Sequence, residues 1–159
     1  MIFVILGTQK FQFNRLLQKI DELIEKGVIN ESVIAQIGYS TYKVKNYKVE
    51  KFLDKEAYNY IIEKSNLIIC HGGTGAIINS VSRNKKVIAV PRLKEFGEHV
   101  DNHQCEIVEQ FNNMNYIKAI YDIEELENVI NSIKNEKFDK YISSTKNIIS
   151  IIDNYIKGL

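Results

Sequence analysis

Two runs in the middle of the chain, LIIC at 67–70 and VIAV at 87–90, are apolar at every position rather than at alternate ones. A strand covered on one face alternates, so an unbroken apolar run needs cover on both faces, as central strands of a parallel sheet receive from their crossover helices. Between such runs lie longer stretches with helical spacing, and that alternation predicts an α/β fold: a Rossmann-like parallel sheet with helices on both faces. The pattern places strands near 2–6, 33–38, 47–52, 67–70, 86–90 and 116–119. It places helices near 12–26, 55–64, 74–84, 100–112, 123–134 and 139–157. The single proline, Pro91, closes the fifth run and turns the chain out of the sheet as a loop.

With 159 residues, 45% of them hydrophobic, and no Gly/Ser linker or internal repeat, residues 1–159 read as one domain. The 21 Lys and Arg nearly cancel the 20 Asp and Glu, which removes the basic field that drives nonspecific nucleic-acid binding, so no nucleic-acid partner is expected. Cys70 and Cys105 are the two cysteines, a number that points to a reducing compartment and inert thiols. The opening MIFVIL is short and runs directly into Gly7 and Thr8, so it reads as a first strand rather than a targeting segment. No apolar run approaches the roughly 20 residues of a spanning helix. A soluble cytoplasmic protein is expected, touching a membrane only peripherally.

The clearest chemical signal is LIICHGGTGAIINSV, in which a strand passes through His71, Gly72, Gly73, Thr74 and Gly75 into a helix. Glycines let a ligand approach the backbone, and the free amides of a helix N-terminus favour a phosphate. Thr74 adds a hydroxyl donor, and His71 is expected to donate to a phosphate oxygen. The same glycines also suit a tight turn that needs them only for its backbone angles. The loop lacks the Gly-Lys-Ser/Thr ending of a P-loop and the downstream acid of a dinucleotide fingerprint, which argues against kinases, GTPases and dehydrogenases.

The second signal follows the strand at 86–90, where PRLKEFGEHVDNHQ gathers Glu98, His99, Asp101, Asn102, His103 and Gln104. The carboxyl ends of strands are where open α/β sheets bind ligands, and this mixture of donors and acceptors suits sugar hydroxyls. A metal site is the competing reading, since His99 and His103 would share a face if that stretch were helical. No Asp-x-Asp pair is present to hold a metal against a diphosphate, and none is expected. A polar loop that merely caps the following helix is a third reading.

These segments, in this order, resemble the donor-binding domain of a GT-B glycosyltransferase family. The family includes the bacterial transferase that makes lipid II and the small subunit of the eukaryotic dolichol-pathway N-acetylglucosaminyltransferase. The likeness is strongest to the small soluble subunits of bacterial exopolysaccharide and capsule glycosyltransferases. It rests on Gly7 and Thr8 followed by Phe11, Phe13, Arg15 and Leu16, then on 71–75, then on 90–104, and it spans residues 1 to about 120. The resemblance implies a donor diphosphate at Gly72 to Gly75 and sugar hydroxyls at Asn102, His103 and Gln104, with Glu98 and His99 near the sugar. It implies that the KFLD turn sets Phe52 and Leu53 against uracil, that Asn79 meets the ribose, and that Gly7, Thr8 and Gln9 form a loop facing the cleft. Two positions depart from the pattern, Ala76 where Ser or Thr is frequent and Asn79 where Glu is frequent.

From the same resemblance follows an inverting, UDP-sugar-dependent hexosyltransferase subunit of polysaccharide or lipid-linked glycan synthesis. UDP-sugar is then a substrate, and no cofactor is expected. The implied partners are a membrane-anchored subunit that binds the lipid-linked glycan acceptor, forming a heterodimer inactive when split, and hence a place at the inner face of the membrane. The general base stays unassigned. The apolar stripe of 139–157 is the expected docking element, with packing on the parent sheet as the other reading. A non-enzymatic nucleotide-binding regulatory module is the alternative function.

Overall fold

The structure, a computed structural model, describes residues 1–142. Among the described residues six strands form one sheet: β1 (Ile2–Ile5), β2 (Val33–Gln36), β3 (Lys48–Glu50), β4 (Leu67–Cys70), β5 (Lys86–Ala89) and β6 (Lys118–Ala119). All neighbours pair in parallel, in the order β3-β2-β1-β4-β5-β6. The helices are α1 (Asn14–Glu25), α2 (Lys55–Lys64), α3 (Thr74–Val81), α4 (His103–Asn113) and α5 (Leu126–Ser132). The expected Rossmann-like α/β fold is therefore present. In this strand order the chain reverses direction across the sheet between β1 and β4, and the carboxyl ends of those strands border the crevice where such sheets take ligands.

Why the runs are apolar throughout is visible in the core. Ile2 and Val4 of β1, Ile69 of β4 and Ile88 of β5 face one layer, with Leu16, Leu17, Ile20 and Leu23 of α1 and Leu126 and Ile130 of α5. Phe3 and Ile5, Ile68 and Cys70, and Val87 and Ala89 face the other, with Ile62 of α2, Ile77 and Val81 of α3 and Val108 of α4. Each fully buried Leu or Ile is worth about 1.5–3 kcal/mol. Two covered faces thus demand the pattern that the sequence shows. β3, at the sheet edge, is exposed at all three residues and carries Lys48 and Glu50, charges that discourage further pairing.

Several ends fall inside the expected ranges. Helix 74–84 stops at Val81, and Asn84 adopts a left-handed φ of 56° that closes the turn. Helix 100–112 starts at His103, because Asp101 Oδ1 accepts the His103 N–H at 3.0 Å and keeps the preceding residues out of the helix. Helix 123–134 is α5 flanked by 3-10 turns at Ile123–Glu125 and Ile133–Asn135. Of the expected helix 139–157, residues 139–142 are irregular and the remainder lies outside the described residues.

Candidate functional site

At the carboxyl edge of the sheet, loops leaving β1, β3, β4 and β5, with Gln36 at the end of β2, enclose a cleft of about 680 Å³. Of similar size, a cavity of about 600 Å³ opens at the opposite edge between Ile2, Leu67, Lys86 and Ile133. Lys86 Nζ there is consumed by the carbonyls of Ile133, Lys134 and Glu136. Of these two, the carboxyl-edge cleft is the one that combines helix amides, glycines and polar side chains, so the site is built there.

The floor is the β4–α3 turn. α3 begins after Gly73 with no side chain capping its first amides, which leaves those N–H groups and the positive end of the helix directed at the cleft wall formed by Gly73, Thr74, Gly75 and Ala76. Gly72 has φ +75°, and a Cβ there would lie 2.6 Å from Val108 Cγ2, so it serves the turn and not the cleft. A Cβ on Gly73 would run into the His71 ring, whereas one on Gly75 would meet nothing within 4 Å. The turn-only and ligand-approach readings therefore divide by position: Gly72 and Gly73 satisfy packing, and Gly75 leaves space that packing does not require.

His71 sits between the two glycine turns, and a Cβ on Gly7 would come within 2.7 Å of its ring. Its Nδ1 lies 3.0 Å from Ile5 O. A carbonyl only accepts, so Nδ1 carries the proton and Nε2 of the neutral ring is a lone pair. Desolvation first, and then the charge of Arg92, push its pKa down to about 4. The expected donation to a phosphate is thus open only to the imidazolium, which a bound dianion would have to induce.

Arg92, the first residue after Pro91, is fully buried. One terminal nitrogen donates to Leu6 O at 2.6 Å and Phe11 O at 3.2 Å, which fixes the ends of the loop carrying Gly7, Thr8 and Gln9 into the cleft. Its Nε and other terminal nitrogen have no partner among the described residues. Burial lowers the Arg92 pKa to about 10, with Glu98 opposing.

The cluster after β5 separates into two groups. Glu98 is 0% exposed and does not reach the cleft: it accepts Arg15 Nε and a terminal nitrogen at 3.0 Å each, and Leu93 N–H at 3.0 Å. Arg15 lies over the rings of Phe13 and Phe96. The expected sugar contact from Glu98 is corrected accordingly, because both its oxygens are spent on tying α1 to the loop. Asn102 likewise turns back, its Oδ1 accepting Lys94 N–H at 2.9 Å. His99, Asp101, His103 and Gln104 do line the cleft. Gln104 accepts Arg92 N–H through Oε1 at 3.1 Å, which leaves its NH2 as the free donor. His99 lies before α4 starts, so the helical pairing with His103 does not form. Among the described residues no three His, Cys, Asp or Glu gather as metal ligands do.

On the nucleoside side Leu53 lines the cleft, its N–H donating to Gln36 Oε1 at 3.2 Å. Phe52 is 43% exposed and meets Tyr39 edge-on outside the lining. Asn79 is also outside it, because its Oδ1 is bonded by Arg83, which also reaches Asn59 at 3.0 Å and Glu63 at 3.1 Å. Gln36, Asp54, Lys55 and Tyr58 line the cleft although the sequence did not single them out. A polar Gln36 ending the apolar strand β2 was a readable signal; Tyr58, inside α2, gave none.

Residues 1–157 match the family model described as the glycosyltransferase family 28 C-terminal domain. The chain belongs to that family. It is 34% identical over 113 residues, 71% of its length, to a UDP-N-acetylglucosamine transferase subunit ALG13 of Candida albicans, and 27% identical over 124 residues to the ALG13 of Mus musculus. The match spans 37% of the yeast relative and 10% of the mouse one. Among solved structures, an NMR structure of ALG13 superimposes with TM-score 0.57 at 23% identity, covering 90% of this chain and 89% of that one. A crystal structure of Acinetobacter baumannii MurG gives 0.58 at 15% identity, covering 83% of this chain and 41% of that one. These two likenesses show the fold that the family 28 domain shares with GT-B glycosyltransferases.

Proposed function

We propose that this family 28 domain is the donor-binding subunit of a UDP-sugar-dependent inverting glycosyltransferase in polysaccharide or lipid-linked glycan synthesis. A single arrangement carries the reading: one cleft holds the uncapped start of α3 on one wall and Gln104, His103 and His99 on another. The first suits a diphosphate and the second a sugar, and a site for nucleotide alone has no use for the second. In the transfer step the leaving diphosphate gains charge. Amides fixed at a helix start stabilise that charge more in the transition state than in the donor. The groups available for this work are the chain's own, with Lys55 on the rim and Arg92 beneath the first loop.

The acceptor, a lipid-linked glycan in this proposal, is held by a membrane-anchored second subunit that closes the open side of the cleft. Among the described residues no helix is long and apolar enough to cross a membrane. A place at the inner face of the membrane, through that subunit, follows from the proposal. The rival, a nucleotide-binding regulatory module, draws on Asn79 being tied to Arg83 rather than free for ribose. Calorimetry on the purified chain separates the two. UDP-N-acetylglucosamine, UDP-glucose or UDP-galactose should bind more tightly than UDP for the transferase, whereas no gain from any of the sugars favours the module.

A further inference from the structure

On the cleft wall formed by the loop after β5, His99 Nδ1 lies 3.0 Å from Asp101 Oδ1 and His99 Nε2 lies 3.2 Å from Gln9 Oε1. A carboxylate only accepts, so the nitrogen facing it carries the ring proton. A competing contact, from the Asp101 N–H to the same nitrogen, is 3.4 Å long and yields to the shorter, charge-assisted bond. Nε2 of the neutral ring is then a lone pair. Gln9 is exposed on the first loop, and a half-turn of its carboxamide presents NH2 to that lone pair in place of oxygen.

The ring is held from three sides. Phe11 packs on it with centroids 4.8 Å apart. Asp101 is itself fixed, since its Oδ1 accepts the backbone N–H of His103 at the start of α4. That bond, foremost, holds the Asp101 carboxyl below the usual carboxylate range, so the group facing His99 is an anion. A carboxylate that orients an imidazole whose other nitrogen opens on a cleft is the arrangement that makes histidine a proton acceptor.

We propose that His99, oriented by Asp101, is the general base that takes the proton of the acceptor hydroxyl. The assignment rests on the transferase reading above. In the step, the hydroxyl proton passes to His99 Nε2 and the oxygen's electron pair forms the bond to the anomeric carbon. The bond from that carbon to the diphosphate oxygen breaks, and its electron pair leaves with UDP. Asp101 faces the imidazolium so formed, and Gln9 swings off Nε2 to admit the hydroxyl. Of the other two imidazoles on the cleft, His71 is unsuited to the task, since burial and then the charge of Arg92 oppose its protonation, and His103 pairs with Glu106 at 3.2 Å through side chains that are both largely exposed, so no packing fixes its ring.

The test uses the full chain, first alone with UDP as probe and then with labelled UDP-N-acetylglucosamine, UDP-glucose and UDP-galactose on membranes carrying the products of its neighbouring genes. His99→Gln and Asp101→Asn should bind UDP within about twofold of the parent. For His99→Gln kcat should fall on the order of 100-fold, well beyond any change in the donor KM. For Asp101→Asn a smaller fall in kcat should accompany loss of the Nδ1–H tautomer of His99 in 15N NMR, and Asp101→Glu should restore part of both. Transfer by His99→Gln within about threefold of the parent overturns the proposal. So does an equal loss of UDP affinity and kcat, which would reduce the pair to a brace between two loops. A parent chain that fails to bind UDP sinks the transferase reading itself, whereas one that binds UDP yet transfers from none of the donors overturns the assignment of a base here.

Discussion

Single residues in this cleft hold proton and charge states that the fold imposes on them. His71 is the clearest. Its pKa falls from 6.5 to about 4, so the folded chain binds fewer protons than the unfolded chain between those values. Stability contributed by the neutral ring is full above pH 6.5 and is lost as pH falls toward 4, on the order of 2–3 kcal/mol after a discount for the part of the ring that reaches the cleft. Carboxylates titrate in the same window, so the measurement is a difference: urea midpoints for the parent and His71→Gln should converge as pH drops from 7 to 4. Parallel curves would mean that His71 is not desolvated. Arg92, beneath the cleft, is the second case, a buried cation with two nitrogen atoms that have no partner among the described residues. Arg92→Met should free the ends of the first loop and weaken UDP about tenfold or more, while Arg92→Lys, which keeps the charge, should lose less. Equal losses in calorimetry would assign Arg92 a purely geometric role.

Between elements, the decisive contact is the ion pair of Arg15 on α1 with Glu98 after β5. Breaking a buried pair by removing one partner strands the other charge, so Glu98→Gln should cost about 3 kcal/mol in urea unfolding, and Arg15→Met with Glu98→Leu together should cost less than the sum. This contact also marks the limit of what the sequence discloses. The all-apolar runs at 67–70 and 87–90 determine strands because only two-sided cover tolerates them, and the glycine loop placed the start of α3 to the residue. Pairing across 83 positions is another matter, because Glu98 reads as one more polar residue in a ligand-like cluster until topology sets Arg15 beside it. Asn79 misleads similarly: helical spacing puts Arg83 one turn away, but which neighbour claims its oxygen is a packing outcome. Gly73 also changes standing. A side chain there displaces His71, so the clean probe of the α3 amides is Gly75, where a Cβ meets open space. Gly75→Leu should leave stability equal or raised by about 0.5–1 kcal/mol, from helix propensity, while UDP affinity drops severalfold. Unchanged affinity would move the phosphate away from α3.

At the scale of the whole molecule, the proposed donor cleft and the proposed partner surface draw on different parts of the chain. The described cleft residues run from Ile5 to Ile107, while Tyr141, Ile142, Thr145, Ile148, Ile149, Ile152, Tyr155 and Ile156 recur at helical spacing in the sequence beyond. All but the first two lie outside the described residues. Tyr141 packs edge-on against Tyr116 with centroids 5.5 Å apart, so the chain is still on the domain's surface as that stripe begins. A stripe of this kind can complete the parent layer or dock a second subunit. The two roles differ in what deletion does. Removal of 143–159 should leave UDP affinity within about twofold by calorimetry, because the loops after β1 and β5 are held by Arg92, Glu98 and Asp101, all within the described residues. The same deletion should abolish co-purification with the proposed membrane subunit and with it the proposed transfer. A truncated chain that unfolds would return the stripe to the core, and one that still captures its partner at full strength would place the interface elsewhere, with the exposed Phe96 and Val100 beside the cleft as the next surface to substitute.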